Sequence, residues 1–190
     1  MRREDLKIFI EPPVIYTERL KLRKFGKNDL FDVYKYASSE EVTKYLLWDK
    51  HPSLDYTRRY LGFIEKKYKR AEFYDWGIEY EGEMIGTVGF TRLVPEENLG
   101  EVGFVLREDK WGLGLATEAA RAVIKFGFVT LALHRIEGQC MAENERSSAV
   151  LEKCGMSCEG RLREAIFVKG RFADIKIYSI LDKEYFSLKE

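Results

Sequence analysis

From residue 19 to 24 the chain alternates cation and leucine, Arg-Leu-Lys-Leu-Arg-Lys, which predicts a strand with one wet face. The period then lengthens. Asn28-Asp29 supplies side-chain oxygens suited to a helix start, and Leu30, Val33, Tyr34 and Ala37 follow at helical spacing. Ser39-Glu40-Glu41-Val42 opens a second predicted helix that ends near Trp48, and His51-Pro52 breaks the chain. Residues 54–70 predict a longer helix, with Tyr56, Tyr60, Leu61 and Ile64 on one face. The period returns to two at residues 73–80 and 84–93, with Glu81-Gly82-Glu83 as the hairpin turn between them.

A loop at 95–98 leads to a short strand, 101–106, and then to a glycine-containing segment that opens a helix. Ala120, Val123, Ile124, Gly127, Phe128 and Leu131 line one face of that helix. Residues 135–141 predict a strand. Residues 147–154 predict a short helix stopped by Gly155. Strands near 157–168 and 172–181 finish the pattern, joined at Lys169-Gly170-Arg171. The order is strand, helices, three strands, helix, strand, helix, two strands, which predicts a mixed α/β (α+β) domain around one sheet. No repeat or linker divides the sequence, so a single domain over residues 1–190 is expected, with its core from about 17 to 182.

Charge narrows the choice of partners. Lys plus Arg and Asp plus Glu number 32 each, so no net field draws the chain to nucleic acid or to an anionic membrane. The first residues, Met-Arg-Arg-Glu-Asp, lack the apolar run of a signal peptide, and no stretch approaches the ~20 apolar residues of a membrane span. The expected location is cytoplasmic. Cys140, Cys154 and Cys158 form an odd, scattered set that argues against a disulfide framework. His51 and His134 lack ligand spacing to them, so no metal is expected.

Gly112-Leu113-Gly114-Leu115-Ala116-Thr117, between strand and helix, is the strongest chemical signal. Small residues let backbone N–H groups approach a ligand, and a helix N-terminus adds unpaired donors and a favourable dipole for a pyrophosphate. The same residues also suit a tight turn with close packing. No Gly-Lys-Ser/Thr follows, which excludes a P-loop, and the dinucleotide fingerprint lacks its third glycine and acidic residue.

This segment resembles motif A of the GNAT acetyltransferase superfamily, Arg/Gln-x-x-Gly-x-Gly/Ala, from Trp111 to Ala116. Further blocks resemble the branch of ribosomal-protein N-terminal acetyltransferases: Thr17-Glu18-Arg19-Leu20, Glu101-Val-Gly-Phe-Val-Leu106, Trp111-Gly-Leu-Gly-Leu-Ala-Thr-Glu-Ala119, His134-Arg135-Ile136-Glu137, Asn144-Glu145-Arg146-Ser147-Ser148, Gly155-Met156 and Glu159-Gly160-Arg161-Leu162-Arg163, then Asp174 before Tyr178-Ser179. The resemblance implies a largely antiparallel mixed sheet, splayed at its centre between strands 101–106 and 135–141, with flanking helices. Acetyl-CoA would lie in the splay. Main-chain groups of Phe104, Val105 and Leu106 would bond its pantetheine arm, and those of Gly112, Leu113, Gly114, Leu115, Ala116 and Thr117 its pyrophosphate. Asn144 would also touch the cofactor.

Trp111 occupies the family's Arg/Gln position, as is common on this branch, and two further departures bear on the chemistry. Leu113 stands where many relatives carry a cation or Gln, so phosphate binding shifts towards main-chain donors. Leu151 stands where many GNAT enzymes place the tyrosine that protonates the departing thiolate; Ser147 is the substitute that the branch implies. Glu101 could take the amine's proton through a water, or be a solvated strand-edge carboxylate. Ser147 could donate to the thiolate, or cap its helix. Asn144 could likewise be a loop or cap residue. His134, at a helix-to-strand junction, reads as structural, although histidine titrates near neutrality. Tyr45 and Trp48, after the early helices, are candidate substrate contacts.

The expected reaction is direct acetyl transfer to a primary amine, with a protein N-terminal α-amine leading. An α-amine near ~8 is roughly a tenth neutral at pH 7, whereas a lysine amine near ~10.4 is neutral less than about one part in a thousand. A small amine such as a polyamine, amino acid or antibiotic is the alternative acceptor. A non-catalytic acyl-CoA sensor is the alternative class. A monomer or homodimer fits the branch.

Overall fold

The computed structural model of the chain describes residues 1–187. Eight strands form one sheet: β1 (Ile15–Tyr16), β2 (Lys21–Arg23), β3 (Asp75–Tyr80), β4 (Glu83–Val94), β5 (Leu99–Leu106), β6 (Arg135–Met141), β7 (Ser157–Val168) and β8 (Arg171–Leu181). Their order across the sheet is β1-β2-β3-β4-β5-β6-β8-β7. Among the described residues every neighbouring pair is antiparallel except β5 and β6. The expected architecture, a mixed and mostly antiparallel sheet with flanking helices, is the one found.

The two faces of the sheet are covered by different helices. α4 (Leu115–Val129) connects β5 to β6 and buries Ala119, Ala120, Val123 and Ile124 in a cluster with Trp76, Ile78, Val88, Val102 and Ile136. On the other face α1 (Leu30–Ala37) and α3 (Leu54–Lys69) bury Val33, Tyr36, Leu61, Ile64 and Tyr68 against Phe25 and Met84. Period-two alternation in the central strands therefore sends successive residues to two separate cores.

The second predicted helix is much shorter than its sequence suggests. α2 (Glu40–Thr43) is a single turn. Ser39 Oγ caps it by accepting from Val42 N at 3.3 Å. The Thr43 hydroxyl bonds back to Ser39 O at 2.9 Å, a local competitor for helical bonding. The Thr43 carbonyl is then taken by Leu46 N and by Lys169 Nζ from the β7–β8 turn. Residues 44–50 are thus released from the helix to cross the face of the sheet.

Three elements lack a clear periodic signature. Arg3–Ile10 forms a 3-10 helix whose Phe9 is fully buried, edge-on to Tyr74, Trp76 and Phe126. β1 adds a two-residue edge strand. α6 (Asp182–Ser187) follows β8, and Tyr185 stacks on Phe128. Finally, α5 (Glu145–Lys153) starts two residues before the predicted helix, because Asn144 caps it: Asn144 Oδ1 accepts from Ser147 N at 3.1 Å.

Candidate active site

β5 and β6 pair from Leu99↔Arg135 to Val102↔Gly138 and then part. Beyond that point β5 stays with β4 as far as Leu106↔Gly86, and β6 stays with β8 as far as Met141↔Ile175. The second half of β5, residues 103–106, therefore presents an unpaired strand edge. Unpaired strand edges are templates for another extended chain.

A cavity of about 590 Å³ opens from this edge. Its walls include Phe104, Val105 and Leu106, the start of α4, and the first turns of α5. Gly112 and Gly114 both have positive φ, +78° and +79°. A Cβ added at Gly112 would meet nothing within 4 Å, so what the position demands is the backbone conformation. Gly114 is the N-cap of α4 and provides no side-chain cap, so unpaired N–H groups of that helix face the cavity. Lys44, Lys110, Arg146 and Lys153 also line it, and Arg146 stacks on Trp111 at 4.5 Å. Those four cations, set against Glu41, Glu143 and Glu145 of the same lining, and a helix N-terminus suit a polyphosphate chain. Residues and space fit acetyl-CoA.

The turn is braced from behind. Glu118 accepts Thr17 Oγ1 at 2.6 Å, Arg19 N at 2.9 Å and Arg19 Nε at 2.7 Å. Arg19 in turn donates to the Leu113 carbonyl at 2.9 Å. Burial opposes ionisation of Glu118, but the bonds from Thr17 and Arg19 outweigh it and hold the carboxyl below its ordinary range.

A second cavity, about 600 Å³, lies on the α1–α3 face of the sheet. Its floor is formed by alternate residues of neighbouring strands: Asp75, then Thr87 and Thr91, then Glu101, Gly103 and Val105. Aromatic rings wall it: Tyr36 from α1, Tyr56 and Tyr60 from α3, and Tyr45, Trp48 and His51 from the segment freed by the short α2. His51 is buried, its Nδ1 lies 2.9 Å from Thr57 Oγ1, and burial lowers its pKa. Tyr45, Leu46, Phe104, Val105, Asn144 and Ser147 line both cavities. Those six residues mark where the two compartments meet, at the mouth of the splay.

Comparison with known proteins decides the family. The family model described as an acetyltransferase (GNAT) domain matches residues 19–157, well over half of the chain. The chain belongs to the GNAT acetyltransferases. It is 34% identical over 173 residues to the "Uncharacterized N-acetyltransferase p20" of Bacillus licheniformis, covering 90% of this chain and 97% of that protein. Two Escherichia coli relatives carry named acceptors: ribosomal-protein-serine acetyltransferase (30% identical; 88% and 96% covered) and spermidine N(1)-acetyltransferase (26%; 87% and 88%). A crystal structure of a GNAT-family acetyltransferase from Bacillus anthracis superposes with a TM-score of 0.80 at 31% identity, covering 90% of this chain and 99% of that one.

Within this GNAT fold most of the residues singled out from sequence gather around the two cavities. Phe104, Val105, Leu106, Gly112, Gly114, Leu115, Ala116, Thr117 and Asn144 line the first cavity, although Leu115 is itself buried in the core. Leu113 does not line it: its side chain is half exposed, and its carbonyl is bound by Arg19. Glu101, Tyr45, Trp48 and Ser147 line the second cavity. Glu101 accepts Thr91 Oγ1 at 2.7 Å and lies 3.7 Å from Arg92 Nε. Ser147 leaves capping to Asn144, and its hydroxyl has no hydrogen-bond partner among the described residues. His134 is exposed beside Asp182 at 3.3 Å and lines neither cavity. Sequence reasoning missed Asp75, Tyr36 and Tyr60. Their residue types and spacing look like ordinary strand and helix positions, and the sequence held no signal that they share a cavity.

Proposed function

We propose that this GNAT enzyme transfers acetyl from acetyl-CoA directly to a primary amine in a ternary complex. The observation that carries this is the meeting of the two cavities at one junction, with the free edge of β5 on one side and the aromatic cavity on the other. An acetyl-donor arm laid along residues 103–106 brings its thioester to that junction.

In this reaction the amine nitrogen forms a bond to the carbonyl carbon, the carbon–sulfur bond breaks, the amine loses a proton and the leaving sulfur gains one. Glu101, on the floor of the acceptor cavity, takes the amine's proton through water. Ser147, unbonded and shared by both cavities, donates to the leaving sulfur. Asn144 holds Ser147 in place by capping α5. A route through an acetylated cysteine is poorly supported: Cys140 lines the acceptor cavity, but burial raises its pKa and keeps it as the thiol. The relatives named for a ribosomal-protein serine and for spermidine bracket two acceptor types, a protein N-terminus and a small polyamine.

The test is calorimetric titration with acetyl-CoA, followed by two-substrate kinetics of CoA release. Selective binding and intersecting initial-rate patterns are expected. Failure to bind acetyl-CoA would refute the cofactor assignment, and parallel patterns would refute direct transfer.

A further inference from the structure

The two cavities differ sharply in charge. The cofactor cavity is lined by Lys44, Lys110, Arg146 and Lys153 as well as acids, whereas among the described residues no Lys or Arg lines the acceptor cavity. Three acids do: Asp49, Asp75 and Glu101. Asp49 is exposed. Glu101 is already engaged by Thr91 and lies near Arg92. Asp75 differs from both, because its carboxylate has no hydrogen-bond or ion-pair partner among the described residues.

The sheet makes room for that carboxylate. Asp75 pairs with Gly89, which in turn pairs with Gly103. A Cβ at Gly89 would lie 2.2 Å from Asp75 Oδ1, so any larger residue there would displace it. Around it stand Tyr36 and Tyr60, whose own ionisation is opposed mainly by burial and further by the Asp75 charge. His51 adds no positive charge, since burial keeps its ring neutral at pH 7. A carboxylate without a cation, in an aromatic-walled cavity, costs free energy that a bound cation would recover.

We infer that Asp75 anchors a second cationic group of the acceptor, so the preferred substrate is a slender amine carrying another positive charge and no carboxylate. The spacing sets its length. Asp75, Gly89 and Gly103 lie in register across three strands, which puts the Asp75 and Gly103 Cα atoms about 10 Å apart. The Asp75 side chain covers part of that span, leaving about 6–8 Å between the anchored charge and the reacting nitrogen beside β5. A linear diamine of about four or five methylenes bridges it. A short α-amino acid would instead bring a carboxylate into a cavity that offers it no cation.

This inference rests on the acetyl-transfer reading of the same site. It is tested with 1,4-diaminobutane, butylamine and 4-aminobutanoate, which share a chain length and differ in their far-end charge. The wild-type protein is expected to favour the diamine over butylamine at least tenfold in kcat/KM and to reject 4-aminobutanoate. Asp75→Asn is expected to cut that diamine-to-monoamine ratio at least tenfold, through KM, with acetyl-CoA affinity reporting an intact fold; Asp75→Ser serves as a second variant. Equal loss of kcat on every amine would overturn the anchor and leave Asp75 a general or structural role. So would wild-type turnover that ignores the far-end charge. CoA release with an N-terminal peptide but with none of these three amines would overturn the anchor and leave the transfer reaction standing; no release with the peptide or the amines, while acetyl-CoA still binds, would sink the transfer reaction itself, and the anchor with it.

Discussion

Asp75 should cost the folded protein stability, and the cost should depend on pH. Burial raises its pKa from the ordinary 3.8 to about 7. Among the described residues no cation offsets that burial; the ionisable groups facing it from α1 and α3 are Tyr36, Tyr60 and Tyr68, which are uncharged at pH 8. The folded form therefore holds the proton more tightly than the unfolded chain. As pH rises from about 4 to 7 the unfolded chain releases its proton first, and stability falls across that window. Above pH 7 the penalty levels off. The full difference corresponds to about 4 kcal/mol, and solvent in the cavity reduces it to about 2 kcal/mol. Asp75→Asn removes the charge with little change of shape. At pH 8 the variant should melt about 4–8 °C above wild type, a gap that narrows steadily towards pH 4. Thermal unfolding monitored by circular dichroism at several pH values between 4 and 8.5 would measure it. A gap that stays constant with pH, or a variant less stable than wild type at pH 8, would refute the account. If the gap appears together with lost diamine preference, stability has been spent on recognition.

Three other outcomes follow from the geometry. Gly114→Trp should weaken acetyl-CoA binding at least about a hundredfold, because a Cβ there lies 3.5 Å from Arg19 Nη2, whose guanidinium holds the Leu113 carbonyl, and because a φ of +79° suits glycine; calorimetry reads this directly, with circular dichroism as the fold control. Ser147→Ala should lower kcat about tenfold to a hundredfold with acetyl-CoA affinity nearly constant, as expected for loss of a proton donor; equal losses in both would assign Ser147 to cofactor binding. Asn144→Ala should cost about 1 kcal/mol by removing the α5 cap, or roughly 2–4 °C in a thermal melt, and a variant as stable as wild type would show that the cap bond to Ser147 N contributes little.

Some recognition blocks turn out to be halves of one interaction. Thr17-Glu18-Arg19 and Ala116-Thr117-Glu118 are about a hundred residues apart, yet Glu118 binds both Thr17 and Arg19, and Arg19 holds the Leu113 carbonyl. Their identities were readable, but the reason for them was not. Likewise Asn144 and Ser147 each had a capping alternative in sequence, and backbone geometry assigns the cap to Asn144. The overlong second helix failed for a tertiary reason too: Lys169, more than a hundred residues away, takes the carbonyl at its end.

The sequence by itself determined the order of elements, the glycine turn before α4 and the family, because periodicity and short motifs are local properties of the chain. The tertiary structure decided where β5 and β6 part, which turned an ordinary strand into a free edge. It also decided the company of Asp75. In sequence that residue is one acid among 32 Asp and Glu. In the fold, Gly89 beneath it and tyrosines from two helices beside it leave a carboxylate without a counter-ion. Electrostatic environment depends on what packs around a charge in space, and that packing joins residues from α1, α3, β4 and β5 that no local pattern connects.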